Sequence, residues 1–559
     1  MNKFCLCIIF VGSLFLSACS GFLDEDPKNN IIAGSFFVDT KTATSAVNNL
    51  YRLGPNNWSS PSVYAGSHLM MGGWCSGLFD NYNYKGQEVY VQYAQRLEMT
   101  PNNVDSKMGT LFNEPFQAIG RANVVINVLP TVDLLATGIS QSDQERLVAE
   151  SRFFRAINYF WLVRHFGDVP MTITPQTASD DLKLPRTDAK TIYEQVIIPD
   201  LQEAIKTLPV RAQYNNSMRI SAPIASAYLI DVYVQMAGFP LKDNSKWAAA
   251  AAEAKKFLPG GAYASLYSLL NNEDFEELSA YNKLRSVNVH TASPGGRKTT
   301  TCPEYIYTAE FQAGISNAGF NQNAFPMEVG ALGSAECKVT LTNNAYKPMP
   351  RYLAMYDKDN DLRMKEKQFF VNNFEKMDGS LLPNLASNTP SPYFYFDWGG
   401  IKVENSSGRH FALYRLAEMY LFAAEAIAQA EGVAQAADAL ATIRARAYEY
   451  GGKTKNEIMT ELLALTKEKF IEEVWLERYR ELVFEFKDWN MIQRTRKYPK
   501  TNDMDASIPL GTAQFVDITT VGTNFTTKNF SIDNLLWPIP RTQTQRNPNL
   551  TQNPGYETE

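Results

Sequence analysis

Along most of the chain apolar residues recur at intervals of three and four, the spacing that gathers them on one face of a helix. "TATSAVNNLYRL" (42–53) predicts a first helix. "TLFNEPFQAIGRANVVINVL" (110–129) and "SDQERLVAESRFFRAINYFWLVRHFG" (142–167) predict two long ones. In the second, Ser142 and Glu145 have capping-box spacing, Gly167 supplies a stop and Pro170 follows. "AKTIYEQVIIPDLQEAIKTLP" (189–209) contains Pro199, which lacks an N–H and crowds the preceding turn, so a kink or split is expected there. "SAPIASAYLIDVYVQMAG" (221–238) and "DNSKWAAAAAEAKKFL" (243–258) make a further pair. The period then fades until "YRLAEMYLFAAEAIAQAEG" (414–432), "AADALATIRARAYEYGG" (436–452) and the block 455–494. That last block reads as a long helix with Glu473, Glu477, Glu481 and Glu485 on one stripe. Ile471, Trp475, Leu482, Phe486 and Trp489 form its apolar stripe, which makes Trp475 and Phe486 expected core residues.

Two stretches break the pattern. Residues 54–107 hold "GPNNWSSPSVYAG", "MMGGWCSG" and "FDNYNYKGQ", and residues 260–405 are similarly rich in Gly, Pro, Asn and aromatics. Both read as loops, with room for one short helix in the first. Paired helices with small interface residues suggest helix–turn–helix repeats of the tetratricopeptide kind, although no clean 34-residue signature is present. The expected fold is mainly α: a helical-pair scaffold over about 35–53, 108–259 and 406–559, carrying large loop-rich insertions at about 54–107 and 260–405 that form a ligand-binding face.

Composition narrows the class. The 559 residues are 45% apolar and 20% charged, as in a soluble globular body, and a net charge of −6 gives no reason to expect nucleic acid as a partner. Cys75, Cys302 and Cys337 are the cysteines beyond residue 19; three is odd, so at least one lacks a partner within the chain. Four scattered histidines and no helical His pair argue against a metal site, and no cofactor motif is present. "YGGKT" (450–454) is half a phosphate loop with Ala447 where the first glycine belongs. "DKDND" (357–361) has calcium-loop spacing but Leu362 and Gln368 stand at the required Gly and Glu positions, so a solvated acidic turn is expected.

The N-terminus adds a location. "FCLCIIFVGSLFL" (4–16) is too short to span a bilayer as a helix, follows Lys3 and leads into "LSAC" (16–19), the pattern of a secretory signal. "LSAC" resembles the bacterial lipobox, which implies cleavage before Cys19 and lipidation of its sulfur. Residues 1–18 are then a lipoprotein signal peptide, 19–34 a lipidated tether and 35–559 the folded domain. Two or more acyl chains anchor stably where one does so marginally. The acids of "SGFLDEDP" are similar to the surface-export tether of some Gram-negative lipoproteins.

Five blocks in order are similar to one family. They are "LFNEPFQAIGRANVVINVL", "AESRFFRAINYFWLVRHFGDVPM" (149–171), "LYRLAEMYLFAAEA" (413–426) with "IRARA" (443–447), "ERYRELVFEFKDWNMIQR" (477–494) and "LLWPIPRTQTQRNPNLTQNPGY" (535–556). The chain resembles the SusD/RagB family of outer-membrane lipoproteins. The resemblance implies a non-enzymatic protein at the surface of a Gram-negative cell, anchored in the outer membrane by lipid. Its implied partners are an oligosaccharide and a SusC-like TonB-dependent transporter that receives it. The same module binding peptide or another nutrient is the first alternative. A surface glycoside hydrolase is the second, since 59 acids supply many carboxylate pairs at catalytic separation and none is marked by sequence.

Sugars present an apolar C–H face and a hydroxyl rim, which flat aromatics and Asn, Asp, Gln or Arg match. Loop aromatics are therefore the ligand candidates: Trp74, Asn81, Tyr82 and Tyr84 in the first insertion, and Tyr305, Tyr307 and Asn321 in the second. The "YFYFDW" run (393–398) alternates like a strand and reads as packing. Glu150, Arg152, Arg155, Glu418 and Glu425 are expected to form ion pairs between helices.

Overall fold

The computed structural model describes residues 37–54, 67–81, 89–176, 183–213, 219–286, 302–309, 346–375, 380–383, 390–394 and 410–556. The signal, the tether and Cys19 lie outside them, as do Tyr82, Tyr84, Asn321 and Cys337.

The helical period of the sequence becomes an array in which each helix packs on the next. Asp105–Val128 lies against Gln141–Phe166, and that helix against Ile198–Thr207; Ala222–Ala237 and Lys246–Ala254 continue the series. Lys246–Ala254 then packs directly on Leu416–Ala430, followed by Val433–Tyr448 and Lys455–Leu463. The scaffold thus resumes across the 260–405 insertion as if that segment were absent. Alanines make the seam close: Ala250, Ala251 and Ala254 on one side and Ala417, Ala424 and Ala428 on the other are fully buried. The array is the tetratricopeptide-like helical-pair scaffold expected from the pattern. No helix among the described residues is long and apolar enough to cross a membrane.

Local chemistry departs from the sequence reading at three places. The cap of Gln141–Phe166 is Ser140, whose side chain accepts from the Asp143 N–H, rather than Ser142 with Glu145. Gly167 does end that helix, at φ 72°, a conformation that favours glycine. Pro199 does mark an interruption: the α-helix Ala189–Ile192 passes into one wide turn, Tyr193–Ile197, and the proline occupies the start of the resumed helix Ile198–Thr207, where its missing N–H leaves no gap. Residues 455–494 form three helices, Lys455–Leu463, Lys467–Glu481 and Asp488–Thr495: Thr466 caps a new start after the first, and Phe484 and Phe486 adopt positive φ and turn the chain between the second and third. Phe486 is core; Trp475 is half-buried, its indole N–H donating to Glu425 at 2.8 Å.

The first insertion is more ordered than its composition suggests. Ser67–Ser76 and Val89–Gln95 are helices. "MMGGW" reads as a loop because of its glycines, yet both are helical and serve close approach. A Cβ on Gly73 would sit 2.2 Å from the Tyr346 hydroxyl, and one on Gly72 2.6 Å from Trp489 Cβ. The second insertion contributes short antiparallel pairs: Phe79–Asp80 with Lys347–Pro348, Tyr305–Ala309 with Phe411–Arg415, Phe370–Val371 with Ser391–Pro392, and Asn373–Glu375 with Leu381–Pro383.

Candidate ligand face

Loops that bind ligands need rigid seats. The strands that lead into the 82–88, 310–345 and 395–409 segments are brought to one place. Phe79, two residues before Asn81, stacks on Tyr346 with centroids 3.9 Å apart and planes 11° from parallel. Tyr346 meets the edge of Phe486 at 5.0 Å, and Phe486 stacks on Phe411 at 5.4 Å. Phe411 is in register with Ala309. The positive φ of Phe486 places its ring between the two strand pairs, a backbone cost of about 1–3 kcal/mol that surrounding packing must offset. A cavity of about 60 Å³ lies beneath, lined by Phe411, Phe486, Tyr414, Lys487 and Trp161 among others.

A second seat lies at Ala280–Ser286. The Arg285 guanidinium lies 4.5 Å from the Tyr393 ring centroid and donates twice to Asn282 Oδ1, at 3.1 and 2.7 Å. Tyr305 donates to the Leu284 carbonyl at 3.1 Å. Tyr393 and Phe394 are buried, as the packing reading of that run required.

Both seats are fixed to the scaffold by a buried ion network. Glu304, just before the Tyr305 strand, accepts from Arg415 at 2.7 Å and from Arg446 at 2.8 and 3.0 Å. Arg415 also donates to Glu481 and Glu485, each at 2.8 Å. Arg446 reaches Glu481 as well. Arg363 joins Asp361, Glu477 and Glu481. Three of the four glutamates predicted on one stripe, Glu477, Glu481 and Glu485, are therefore buried ion-pair members, and Glu473 pairs with Arg444 at its edge. Burial pushes the Glu304 carboxyl up, but Arg446 and Arg415 outweigh it and hold it at about 2. Burial wins at Glu485, raised to about 7 despite Arg415, and at Asp488, raised to about 7 although the Tyr352 hydroxyl donates to it at 3.2 Å. Of the inter-helix pairs expected from sequence, Arg152 and Arg155 with Asp200, Glu418 with Arg478, and Glu425 with Arg494 are present; Glu150 pairs instead with Arg146 of its own helix and with Arg219, which precedes Ala222–Ala237.

The ligand candidates divide. Trp74 is completely buried inside the Ser67–Ser76 helix, its ring 6.2 Å from Tyr90, so it offers no face to a sugar. Tyr305 and Tyr307 are buried strand residues; the Tyr307 ring lies 6.2 Å from Phe153 and 6.1 Å from Tyr228. These three are packing residues in this structure: Trp74 lies beside Tyr90, Tyr305 holds the Leu284 carbonyl and Tyr307 lies among rings of the scaffold. Asn81 is also buried and stands where the 82–88 segment leaves the Phe79–Asp80 strand. Sequence reading missed Tyr346, Phe411 and Arg285 as seat residues, and only a pattern of aromatics flanking Gly/Asn-rich runs pointed toward them.

Cys75 and Cys302 are free and buried, and burial pushes both thiols up to about 12, so neither is a reactive thiolate at neutral pH. The Asp357 carboxylate accepts from the Asp359 and Asn360 N–H groups as an acidic turn does, and Asp361 is buried against Arg363. No cluster of acids, His or Cys suited to a metal occurs among the described residues.

A tetratricopeptide-like array that seats inserted loops on an aromatic floor defines a class of helical-scaffold proteins with a variable loop face. The chain belongs to the SusD/RagB family: residues 388–556 match the model described as the SusD family, and residues 21–234 match the one described as "Starch-binding associating with outer membrane". It is 25% identical to SusD-like protein P2 of Formosa agariphila, over 97% of this chain and 98% of that one. Its fold is similar to that of a SusD superfamily protein from Parabacteroides distasonis (TM-score 0.74, 24% identity, 92% of this chain and 99% of that one). It is also similar to surface glycan-binding protein A from Bacteroides thetaiotaomicron, solved in complex with laminarihexaose (TM-score 0.63, 15% identity, 92% and 99%).

Proposed function

We propose that this chain is a non-enzymatic cell-surface lipoprotein that binds an oligosaccharide and passes it to a SusC-like TonB-dependent transporter in the outer membrane. The observation that carries the reading is the convergence of the roots of 82–88, 310–345 and 395–409 on the Phe79–Tyr346–Phe486–Phe411 floor, in a chain of this family. The similar folds of a laminarin-binding SusD-like protein and of a surface glycan-binding protein solved with laminarihexaose support the ligand class. Cys19 is the lipid attachment point and residues 19–34 the tether. Tyr82, Tyr84 and Asn321 contact the sugar, and buried Asn81 holds the end of the Phe79–Asp80 strand that leads into the 82–88 segment.

The test is titration calorimetry of the mature chain with a panel of neutral and acidic oligosaccharides that includes laminarihexaose, followed by chromatography of the sugars. Binding of at least one glycan without shortened products is expected, with Tyr82→Ala weakening it about five- to hundredfold, the loss of one stacking face. Shortened products would make the chain a hydrolase; binding only to peptides would move it to the peptide alternative. Cys19→Ala should release the protein from the outer membrane, and its retention there would remove the anchor from the reading.

A further inference from the structure

The turn between Lys467–Glu481 and Asp488–Thr495 is a hub beneath the loop roots. Phe484 and Phe486 hold it at φ 68° and 60°. The Phe484 ring lies 6.1 Å from Phe79 and 5.6 Å from Phe370, centroid to centroid. The Phe486 ring lies 5.0 Å from Tyr346 and 5.4 Å from Phe411. Three residues thus touch the Phe79–Asp80, Phe370–Val371 and Phe411–Arg415 strands and the residue that opens Lys347–Pro348. Bulky side chains at positive φ are uncommon, so the turn is held by these contacts against its backbone preference.

Glu485 stands between the two rings and faces inward. It is 3% exposed and lines the cavity of about 60 Å³ beneath the floor. Its Oε1 accepts from Arg415 Nε at 2.8 Å, and none of the described residues donates to its Oε2. A proton on Oε2 leaves Oε1 able to accept from Arg415, so that bond survives neutralisation. The turn is stitched to the Phe411–Arg415 strand at two further points. Phe486 stacks on Phe411, and the Lys487 ammonium donates to the Leu413 carbonyl at 2.8 Å. Glu485 is the stitch whose charge a proton can remove.

The cations around it are already committed. Arg415 is shared with Glu304 and Glu481, at 2.7 and 2.8 Å, and Glu481 also holds Arg446. Lys487 lies 3.1 Å from Glu418, which holds Arg478 at 2.9 Å. Arg164 lines the same cavity and is paired with Asp231, to which the Tyr414 hydroxyl also donates. Burial keeps the Tyr228 and Tyr414 phenols neutral, and Asp488 accepts from Tyr352. Burial, with repulsion from Glu418, therefore lifts the Glu485 carboxyl to about 7 against Arg415 and Lys487. We propose that Glu485 is a proton-operated latch under the loop roots: neutral, it keeps the 484–486 turn seated beneath the strands, and ionised, it releases that turn toward water and loosens the roots together. Opening should rise from about pH 5, where a hydrated Glu485 begins to ionise, and level off above about 7, where the seated one ionises too. The bearing of this motion on ligand capture rests on the loop-face reading of the function; the motion itself does not.

The experiment is hydrogen-exchange mass spectrometry of the mature chain, without ligand, at pH 5, 6, 7 and 8, on the parent and on Glu485→Gln and Asp488→Asn. The amide of Glu485→Gln keeps an acceptor for Arg415 and cannot ionise. Dividing parent by variant at each pH cancels the chemical exchange rate. For peptides covering 77–81, 346–349, 368–371 and 410–415, the ratio of parent to Glu485→Gln should rise about tenfold between pH 5 and pH 8. Peptides of Asp105–Val128 should show no such rise, and Asp488→Asn should keep the parent's response at the roots. Should the amide itself disturb the turn, the parent decides alone: exchange at the roots relative to Asp105–Val128 must rise over the same range. A flat ratio overturns the latch, as does a rise shared by Asp105–Val128, which is global unfolding. A response lost in Asp488→Asn and kept in Glu485→Gln overturns it in favour of Asp488. A chain that binds no glycan would fail the loop-face reading and still show the motion, so the two failures are distinct.

Discussion

The ion network beneath the loops and the aromatic floor that seats them solve the same problem differently. The network fixes Glu304, Arg415, Arg446 and Glu481 with charge-assisted bonds whose geometry allows one arrangement. The floor holds Phe79, Tyr346, Phe486 and Phe411 by ring contacts, which tolerate a range of angles from 11° to 69°. Charges paired out of water contribute little net stability, yet breaking one pair is costly. Aromatic contacts contribute through burial and forgive small displacements. A protein whose loop face must vary over a constant frame gains from having the unforgiving interactions in the frame and the forgiving ones at the roots.

Replacing one charge should separate the two regions most sharply. Arg415→Ala strips Glu485 of its guanidinium and leaves Glu304 and Glu481 to share Arg446 in a dry interior, and a loss of about 3–5 kcal/mol in urea unfolding is expected. A loss below 1 kcal/mol would show that water enters the network. Phe486→Ala, on the floor, should cost about 3 kcal/mol and also weaken glycan binding, with far-ultraviolet circular dichroism unchanged. Stability lost with affinity intact would detach the floor from the ligand face.

A subtler contrast lies in pH. Asp488 and Glu485, raised to about 7 by burial, bind protons in the folded chain at pH values where the unfolded chain has released them. Both therefore lower stability as pH rises from about 4 to about 7, with no further change above. Glu304, held at about 2, acts the other way: its contribution is complete above about 4.5 and is lost toward pH 2. Asp488→Asn should flatten the fall of melting temperature between pH 4 and 7 relative to the parent; an unchanged slope would mean that Asp488 is ionised throughout. The smallest effect is expected at the surface. Lys255 and Glu431 pair at 2.6 Å but are half-exposed, and Glu431→Ala should change stability by about 0.5 kcal/mol, diminishing in salt.

The frame was legible because helical periodicity is a global signal repeated over many turns, and the ordered blocks around Arg152, Glu418 and Glu477 carry its ion pairs. The roots were not, for local reasons. Gly72 and Gly73 look like loop residues until the Tyr346 and Trp489 rings against them are known, so Trp74 reads from sequence as a loop aromatic open to ligand. Tyr305 and Tyr307 sit in an aromatic-rich stretch whose strand partner, Phe411–Arg415, lies about a hundred residues away and cannot be inferred from spacing. The break at Phe484 and Phe486 carries no glycine or proline to announce it. Tyr82, Tyr84 and Asn321 lie outside the described residues and stand as proposals.

The seam between Lys246–Ala254 and Leu416–Ala430 has a consequence for how such chains assemble and diversify. The first helix leaves its alanine face open until the second has been synthesised, so this contact is among the last of the scaffold's to close and belongs to the slow, non-local part of folding. Yet closure entropy grows only with the logarithm of the intervening length, about 0.6 kcal/mol for each doubling. Once the two faces match, the excursion between them can lengthen, shorten or be exchanged at small thermodynamic cost, and the join behaves as an insertion port on which new surface chemistry can be tried without renegotiating the frame.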